Sequence, residues 1–113
     1  MKLAEIIRQL KLEIITGKKM EQEVKGVYIC DLLSNVMAHG KQGDLWVTIQ
    51  THQNIVAVAS LLNFAAIIIP ENLEPDEITL EKAATEEITI LRTVKDAYHL
   101  AGELYQLGLR GNR

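Results

Sequence analysis

The most informative chemical pattern in the sequence is a run of five hydrogen-bonding side chains at positions 50–54. The run joins an apolar strand-like segment to an apolar helix-like segment, and its side chains can bind an anion or the edge of a nucleobase. Polar residues are also common in any loop between a strand and a helix, so simple solvation is the alternative interpretation. The five residues are Gln50, Thr51, His52, Gln53 and Asn54.

Four more polar residues follow other strand-like segments and are predicted to lie at the same edge of a sheet. Ligands of open α/β sheets bind beyond the carboxyl ends of the strands, where helix N-termini present free N–H groups. Some of these positions also have a capping interpretation: Asp31 and Thr51 as helix N-caps, and Thr93 with Asp96 as a capping box. The four additional candidates for ligand binding are Asp31, Glu71, Asn72 and Thr93.

The sequence pattern contains no recognisable catalytic group. Cys30 follows a strand-like segment, where a helix N-terminus can lower a thiol pKa, yet no base is paired with it. A small buried apolar residue is therefore the favoured interpretation of Cys30. The three histidines are too scattered to predict a metal site. We expect a protein that is not an enzyme and that needs no metal or other cofactor.

The elements that would position these residues alternate between strand and helix. An amphipathic helix is predicted at residues 3–10, and a helix is expected after every strand except the first. Such alternation predicts right-handed βαβ crossovers. The fold class is therefore α/β, with a three-layer α/β/α arrangement, a mostly parallel sheet of about four to five strands and helices on both faces. Strands are predicted at residues 12–16, 24–30, 45–50, 65–69 and 88–92.

Length and composition restrict the class of protein. The 113 residues suit a single domain, predicted over residues 1–109 and followed by a frayed basic tail at residues 110–113. A formal net charge of -3 argues against a nucleic-acid partner. The apolar stretches are shorter than the roughly 18–20 residues that a membrane span requires. Arg8 interrupts the first apolar residues, which does not fit a signal peptide, so a cytoplasmic location is expected.

Two apolar surfaces are predicted to find partners. The helix at residues 54–63 is apolar around nearly its whole circumference, so it must be buried on more than one side. A second copy of the chain is one way to cover it, and a homodimer is therefore expected. Tyr98 and Tyr105 are assigned to the buried face of the last helix.

The segment Gly43-Asp44-Leu45-Trp46-Val47-Thr48 precedes the polar run, and Ala66-Ile67-Ile68-Ile69 and Leu73-Glu74-Pro75-Asp76 follow the apolar helix. This order resembles the DRTGG domain family, and the resemblance extends from Lys2 to about Leu107. It implies a three-layer α/β/α fold similar to the N-terminal domain of HPr kinase/phosphorylase. It also implies a regulatory role in dimerisation and adenine-nucleotide sensing, as in phosphotransacetylases and CBS-domain pyrophosphatases, and short stand-alone members exist.

The sequence departs from the family signature at two places. Gln50-Thr51 stands where the Asp-Arg pair is expected, and Pro70-Glu71-Asn72 stands where Thr-Gly-Gly is expected. The first change removes the charge best suited to phosphate, and the second removes close backbone approach. We therefore expect a homodimeric regulatory or sensor domain that binds a small polar ligand beside residues 50–54, with an adenine nucleotide as one candidate. The alternative is a protein-interaction or assembly module without a small-molecule ligand.

Overall fold

The structure is a computed structural model that describes residues 1–111 as five helices and five strands. Within these residues, no helix combines the length and the apolar character needed to cross a bilayer. The elements in chain order are α1 (Leu3–Leu10), β1 (Glu13–Thr16), β2 (Gly26–Ile29), α2 (Leu33–His39), β3 (Asp44–Val47), α3 (Asn54–Leu62), β4 (Ala66–Ile69), α4 (Glu77–Glu86), β5 (Ile90–Arg92) and α5 (Ala97–Gln106).

The strands form one sheet in the order β1-β5-β4-β3-β2. From β2 to β5 each strand pairs in parallel with the next, whereas β1 pairs antiparallel with β5. Successive right-handed crossovers between adjacent strands place their helices on one face of the sheet. Helices α2, α3 and α4 accordingly share one hydrophobic cluster, and α1 and α5 share another on the opposite face. The predicted three-layer α/β/α fold is confirmed.

Strand β4 is the centre of the sheet, and all four of its residues are buried. Ile67 and Ile69 pack in the cluster of α2, α3 and α4, while Ala66 and Ile68 pack in the cluster of α1 and α5. A strand covered on both faces needs a continuous apolar run rather than an alternating one. The predicted central strand at residues 65–69 is thus confirmed.

Residues 17–25 connect the two edges of the sheet and are called the crossing segment below. Strands β1 and β2 are consecutive in the chain but lie at opposite edges, so the connection must pass β5, β4 and β3. The segment contacts a residue in front of each of these strands, which places it along the amino-terminal edge of the parallel strands. The contacts are Gly17 with Thr89, Gln22 with Ala65, and Lys25 with Gly43.

The predicted caps of three helices are corrected by the structure. Leu32 occupies the N-cap position of α2 and Gln53 that of α3, in both cases without a side-chain capping bond, so Asp31 and Thr51 are not caps. Both loops extend further than the sequence suggested. Asp31 lies one residue before the N-cap of α2, and Thr51 lies two residues before the N-cap of α3. At α5, Asp96 alone is the N-cap. It accepts a hydrogen bond of 2.9 Å from the His99 backbone N–H, which lowers the pKa of its carboxyl.

The neighbours of α3 belong to the same chain. Ile55, Val56 and Ala59 are buried, and α2 and α4 pack on either side of this helix. The predicted burial on more than one side is therefore satisfied without a second subunit. Leu61, which is 66% exposed, shows where the apolar character of α3 reaches the surface.

The buried face of α5 differs from the predicted one. Leu100 and Leu104 are buried, whereas Tyr98 is 82% exposed and Tyr105 is 62% exposed. The assignment of the two tyrosines to the buried face is therefore wrong. Both faces carry apolar groups at helical spacing, and the smaller leucine side chains are the ones that fit against α1 and the sheet.

The end of the described chain lies against the outer edge of β2. The Arg110 carbonyl accepts a hydrogen bond of 3.1 Å from the Val27 N–H, and Gly111 forms a parallel bridge with the same residue. The frayed tail predicted at residues 110–113 is thus paired at its first two positions. Residues 112 and 113 lie outside the described part of the chain.

A glycine substitution in the crossing segment tests its packing, and a glycine substitution in α5 serves as the comparison. Gly17 has a φ of 127°, and a Cβ there would lie 2.7 Å from the Thr89 Cα, so Gly17→Ala should be strongly destabilising. Gly102 lies in α5 with no heavy atom within 4 Å of an added Cβ, so Gly102→Ala should stabilise by about 0.5–1 kcal/mol. Urea unfolding of both variants measures the difference. A Gly17→Ala protein as stable as the wild type would contradict the described path of the segment.

Candidate functional site

The carboxyl ends of the parallel strands lie at one edge of the sheet; eight of the nine predicted site residues are in the loops that follow these strands, and Asn54 is the first residue of α3. The structure divides them into two groups. The first follows β2 and β3, and most of its polar groups bond to one another. The second follows β4 and β5 and lies beside a cavity.

Asp31 and Gln50 fasten the loop after β2 to the loop after β3. Asp31 Oδ1 accepts hydrogen bonds from Thr48 Oγ1 and from the Ile49 N–H, each of 2.9 Å. Gln50 Nε2 donates to the Asp31 carbonyl at 3.0 Å, and the Gln50 N–H donates to Thr48 Oγ1 at 3.2 Å. Thr48 is buried, so the Asp31 carboxylate supplies the acceptor that its hydroxyl needs. These contacts give Asp31 and Gln50 a structural role.

The loop after β3 is also fastened to the start of α4. The Thr51 carbonyl accepts hydrogen bonds from Thr79 Oγ1 at 2.8 Å and from the Asp76 N–H at 3.1 Å. His52 Nδ1 lies 2.9 Å from Asp76 Oδ2, and both of these side chains are exposed. Gln53 and Asn54 are exposed and make no side-chain hydrogen bond to the described residues. The Thr51 hydroxyl also makes none, so Thr51, Gln53 and Asn54 are the residues of the polar run whose side chains are free of hydrogen bonds to the described residues.

The turn after β4 contains two consecutive residues in the left-handed backbone conformation that glycine favours, although neither of them is glycine. Glu71 and Asn72 have φ values of 63° and 56°, in the left-handed region that glycine adopts at least cost. Their N–H groups donate to the carbonyls of Lys95 and Thr93, each at 2.8 Å. These two bonds hold the turn against the loop after β5. Because both N–H groups already donate to these carbonyls, they are not available to bind a phosphate, as the free N–H groups of a glycine turn can.

A cavity of about 320 Å³ opens beside this turn, between α1, β1 and the loop after β5; we call it the β5-edge cavity. Arg92 bonds to Glu13 at 2.9 Å and to Glu74 at 3.0 Å, and Glu74, then Glu13, raises the guanidinium pKa. Lys95 is paired with a glutamate of α5, whereas Lys11 forms no ion pair with the described residues. The polar residues that line the cavity are Lys11, Glu13, Asn72, Arg92, Thr93 and Lys95.

Sequence reasoning found two of these lining residues, Asn72 and Thr93, and missed the basic ones. Arg92 could have been found, because it is the last residue of a predicted strand. Lys11 carried no such signal. It reaches this edge only because β1 pairs with β5, and strand order cannot be read from local patterns.

Cys30, His39 and His99, which were considered for catalysis or metal binding, make hydrogen bonds to Asn35 or Asp96. Cys30 Sγ accepts a hydrogen bond of 3.4 Å from Asn35 Nδ2. His39 faces the Asn35 carbonyl, and His99 lies 2.7 Å from Asp96 Oδ1. Across residues 1–111, no cluster of three or more His, Cys, Asp or Glu side chains is arranged to hold a metal ion.

Substitution of Asp31 distinguishes a structural role from a role in ligand binding. Asp31→Ala should lower the free energy of unfolding by about 1–3 kcal/mol, because the buried Thr48 hydroxyl loses its acceptor. Asp31→Asn keeps an oxygen at this position and should cost clearly less. Chemical denaturation measures both variants. If Asp31→Ala were as stable as the wild type, the structural assignment would be wrong.

The chain resembles known proteins both in sequence and in fold. The sequence matches the family model of the DRTGG domain over residues 5–107, and no curated protein sequence matches it. The fold is similar to the CBS and DRTGG domains of the regulatory region of Clostridium perfringens pyrophosphatase, a structure complexed with the activator diadenosine tetraphosphate. The TM-score is 0.68 at 17% identity, over 89% of this chain and 44% of that chain, so this chain spans less than half of its neighbour's length. The chain belongs to the DRTGG domain family.

Proposed function

We propose that this protein is a non-enzymatic regulatory domain that binds a small anionic ligand in the β5-edge cavity, with an adenine nucleotide as the first candidate. The observation that carries the proposal is the group of three basic residues around this cavity, Lys11, Arg92 and Lys95, in a chain whose formal net charge is -3. Only one acidic residue, Glu13, lines the same cavity among the residues described. Arg92 and Lys95 are paired with carboxylates, so Lys11 is the lining cation that the described chain leaves free to attract an anion.

The side chains around the cavity suit a phosphate or a carboxylate. Lys11 has no carboxylate partner in the described chain, and its ammonium group can approach an anion directly. Arg92 is held in place by two carboxylates, so its guanidinium is already oriented when a ligand arrives. Asn72 and Thr93 add neutral hydrogen-bonding groups that can bind a sugar or a base. For these reasons we favour the cavity next to the loop after β5 as the binding site, while the site expected beside residues 50–54 stays an alternative prediction.

The family and its structural neighbour support a regulatory role. DRTGG domains form part of the regulatory region in the pyrophosphatase structure, and that region was complexed with an adenine nucleotide activator. The complex includes CBS domains as well, so extending nucleotide binding to this chain is part of our proposal. A single cysteine cannot form an intramolecular disulfide, which supports our proposal of a reducing, cytoplasmic site of action.

We also propose that the protein acts as a homodimer that associates through the exposed face of α5. Tyr98 and Tyr105 lie on this face and are 82% and 62% exposed, and Val94, three residues before α5, is 73% exposed. Ile29, at the neighbouring edge of the sheet, is 43% exposed and lines the same groove as Tyr105. Exposed tyrosines with apolar neighbours are typical of protein interfaces. The second candidate function, a protein-interaction module, would use the same face to bind a different protein.

A thermal-shift titration with AMP, ATP and diadenosine tetraphosphate tests the ligand proposal. At a concentration 100 times its dissociation constant, a ligand stabilises the protein by about 2.7 kcal/mol, which is readily measured. Lys11→Gln should weaken this shift, because it removes the unpaired cation from the cavity. Arg8→Gln is the matched control, since Arg8 is an exposed cation of the same helix that does not line the cavity. An equal loss in both variants, or no shift in the wild type, would contradict the proposal.

Size-exclusion chromatography with light scattering tests the dimer. The wild-type protein should have twice the chain mass of 12.7 kDa at micromolar concentration. The double variant Tyr98→Ser/Tyr105→Ser should be monomeric, because it removes the exposed aromatic area from α5. Leu61→Ser, which changes an exposed apolar residue of α3, should leave the dimer intact. A monomeric wild-type protein would rule out the dimer and favour the interaction module.

A further inference from the structure

Arg92 lines the β5-edge cavity, and each of its three guanidinium nitrogens already donates to a carboxylate. Its Nε and Nη2 atoms lie 3.0 and 2.9 Å from Glu13 Oε1, and its Nη1 atom lies 3.0 Å from Glu74 Oε1. Two negative charges therefore surround one positive charge. An anion in the cavity gains little attraction from Arg92 while both carboxylates stay in place.

The two glutamates are held by the protein to different degrees. Glu13 belongs to β1 and is the register partner of Arg92 in β5, and it accepts from two guanidinium nitrogens. Glu74 lies outside the helices and strands, its side chain is 80% exposed, and it accepts from a single nitrogen. Exposed ion pairs of this kind contribute little to stability, because water solvates both charges when they separate. Glu74 is therefore the carboxylate that can leave.

The backbone on either side of Glu74 does not have to move for this to happen. The Asn72 N–H donates to the Thr93 carbonyl at 2.8 Å, and the Asp76 N–H donates to the Thr51 carbonyl at 3.1 Å. Pro75, which directly follows Glu74, is buried. Rotation of the exposed Glu74 side chain into solvent is thus sufficient to free Nη1 of the guanidinium group.

The other cations of the lining lead to the same requirement. Both carboxylate oxygens of Glu103 accept from Lys95 Nζ at 2.6 Å, and this side chain belongs to a helix, so the pair is firmly made. Lys11 forms no ion pair within the described chain. With the two glutamates of Arg92 included, three carboxylates balance the three lining cations. Departure of Glu74 leaves one positive charge in excess, which an anionic ligand can neutralise.

We propose that Glu74 is an internal competitor for the anionic ligand: its carboxylate occupies Arg92, and the anionic group of the ligand displaces it while Glu13 keeps the guanidinium oriented. The inference rests on the proposed anion binding in the β5-edge cavity and adds the exchange that takes place there. A carboxylate tethered beside its partner acts at a high effective concentration. The exchange therefore favours ligands with several negative charges over those with one.

Calorimetric titration of the full chain with ATP and with inorganic pyrophosphate, at low ionic strength, measures this competition. Glu74→Gln should bind both compounds about two- to fivefold more tightly than the wild type, the range that corresponds to the loss of one exposed ion pair. Pyrophosphate is included because Arg92 is expected to bind the phosphate groups rather than the base. Glu77→Gln is the matched control, since it removes an exposed carboxylate three positions further along the chain that neither lines the cavity nor pairs with Arg92.

A double-variant cycle separates competition for Arg92 from a general loss of negative charge. Arg92→Gln/Glu74→Gln should bind no more tightly than Arg92→Gln alone, because the contact for which Glu74 and the ligand compete is gone. Cooperative unfolding in urea verifies that each variant is folded before its titration.

The outcomes distinguish this inference from the proposed function on which it rests. Wild-type binding that Glu74→Gln leaves unchanged, an equal gain in Glu77→Gln, or a gain that persists without Arg92 overturns the competition and leaves the anion site in place. Absence of binding in both the wild type and Glu74→Gln rejects the anion site itself, and the competition with it.

Discussion

Strand β1 hydrogen-bonds antiparallel to β5, with Glu13 opposite Arg92 and Ile14 opposite Leu91. Because this pairing takes the far edge of the sheet, the chain has to cross the whole amino-terminal edge before the parallel strands begin. The same pairing makes β5 an interior strand and places the end of α1 beside its carboxyl end. The crossing segment and the β5-edge cavity therefore both result from one pair of strands. The end of α1 and the first residue of β1 both line the β5-edge cavity, so its walls depend directly on this pairing.

The polar groups at the carboxyl edge of the sheet fall into two sets that differ in their hydrogen-bond partners. After β2 and β3 they bond to one another, and the Asp31 carboxylate stabilises a buried hydroxyl. After β4 and β5 the backbone N–H groups are consumed within the turn, and the side chains around the cavity are basic. Glu71 and Asn72 both adopt the left-handed conformation, which costs a residue other than glycine conformational energy.

Local patterns were sufficient to predict the layers and the central strand, because burial on both faces of β4 requires the apolar run that the sequence contains. They were insufficient wherever the partner of a residue is distant in sequence. The Arg92–Glu13 contact spans 79 positions, so neither strand order nor the position of Lys11 could be predicted. Asp31 resembles a cap by sequence, yet its donors lie in the following loop, 17 and 18 positions away. The two faces of α5 are similarly apolar, and only packing against α1 decides between leucine and tyrosine.

Helices α1 and α5 share one hydrophobic cluster, in which Leu3 and Ile6 pack together with Leu100 and Leu104. One face of the domain is thus completed by the first and last helices of the described chain. During synthesis, the face that carries α2, α3 and α4 has all its helices once β5 has been made, whereas the apolar side of α1 has no helical partner until α5 follows. Closure of this second face depends on contacts of very long sequence separation, which are slow to form. The apolar side of α1 is therefore the last helical surface of this domain to be covered.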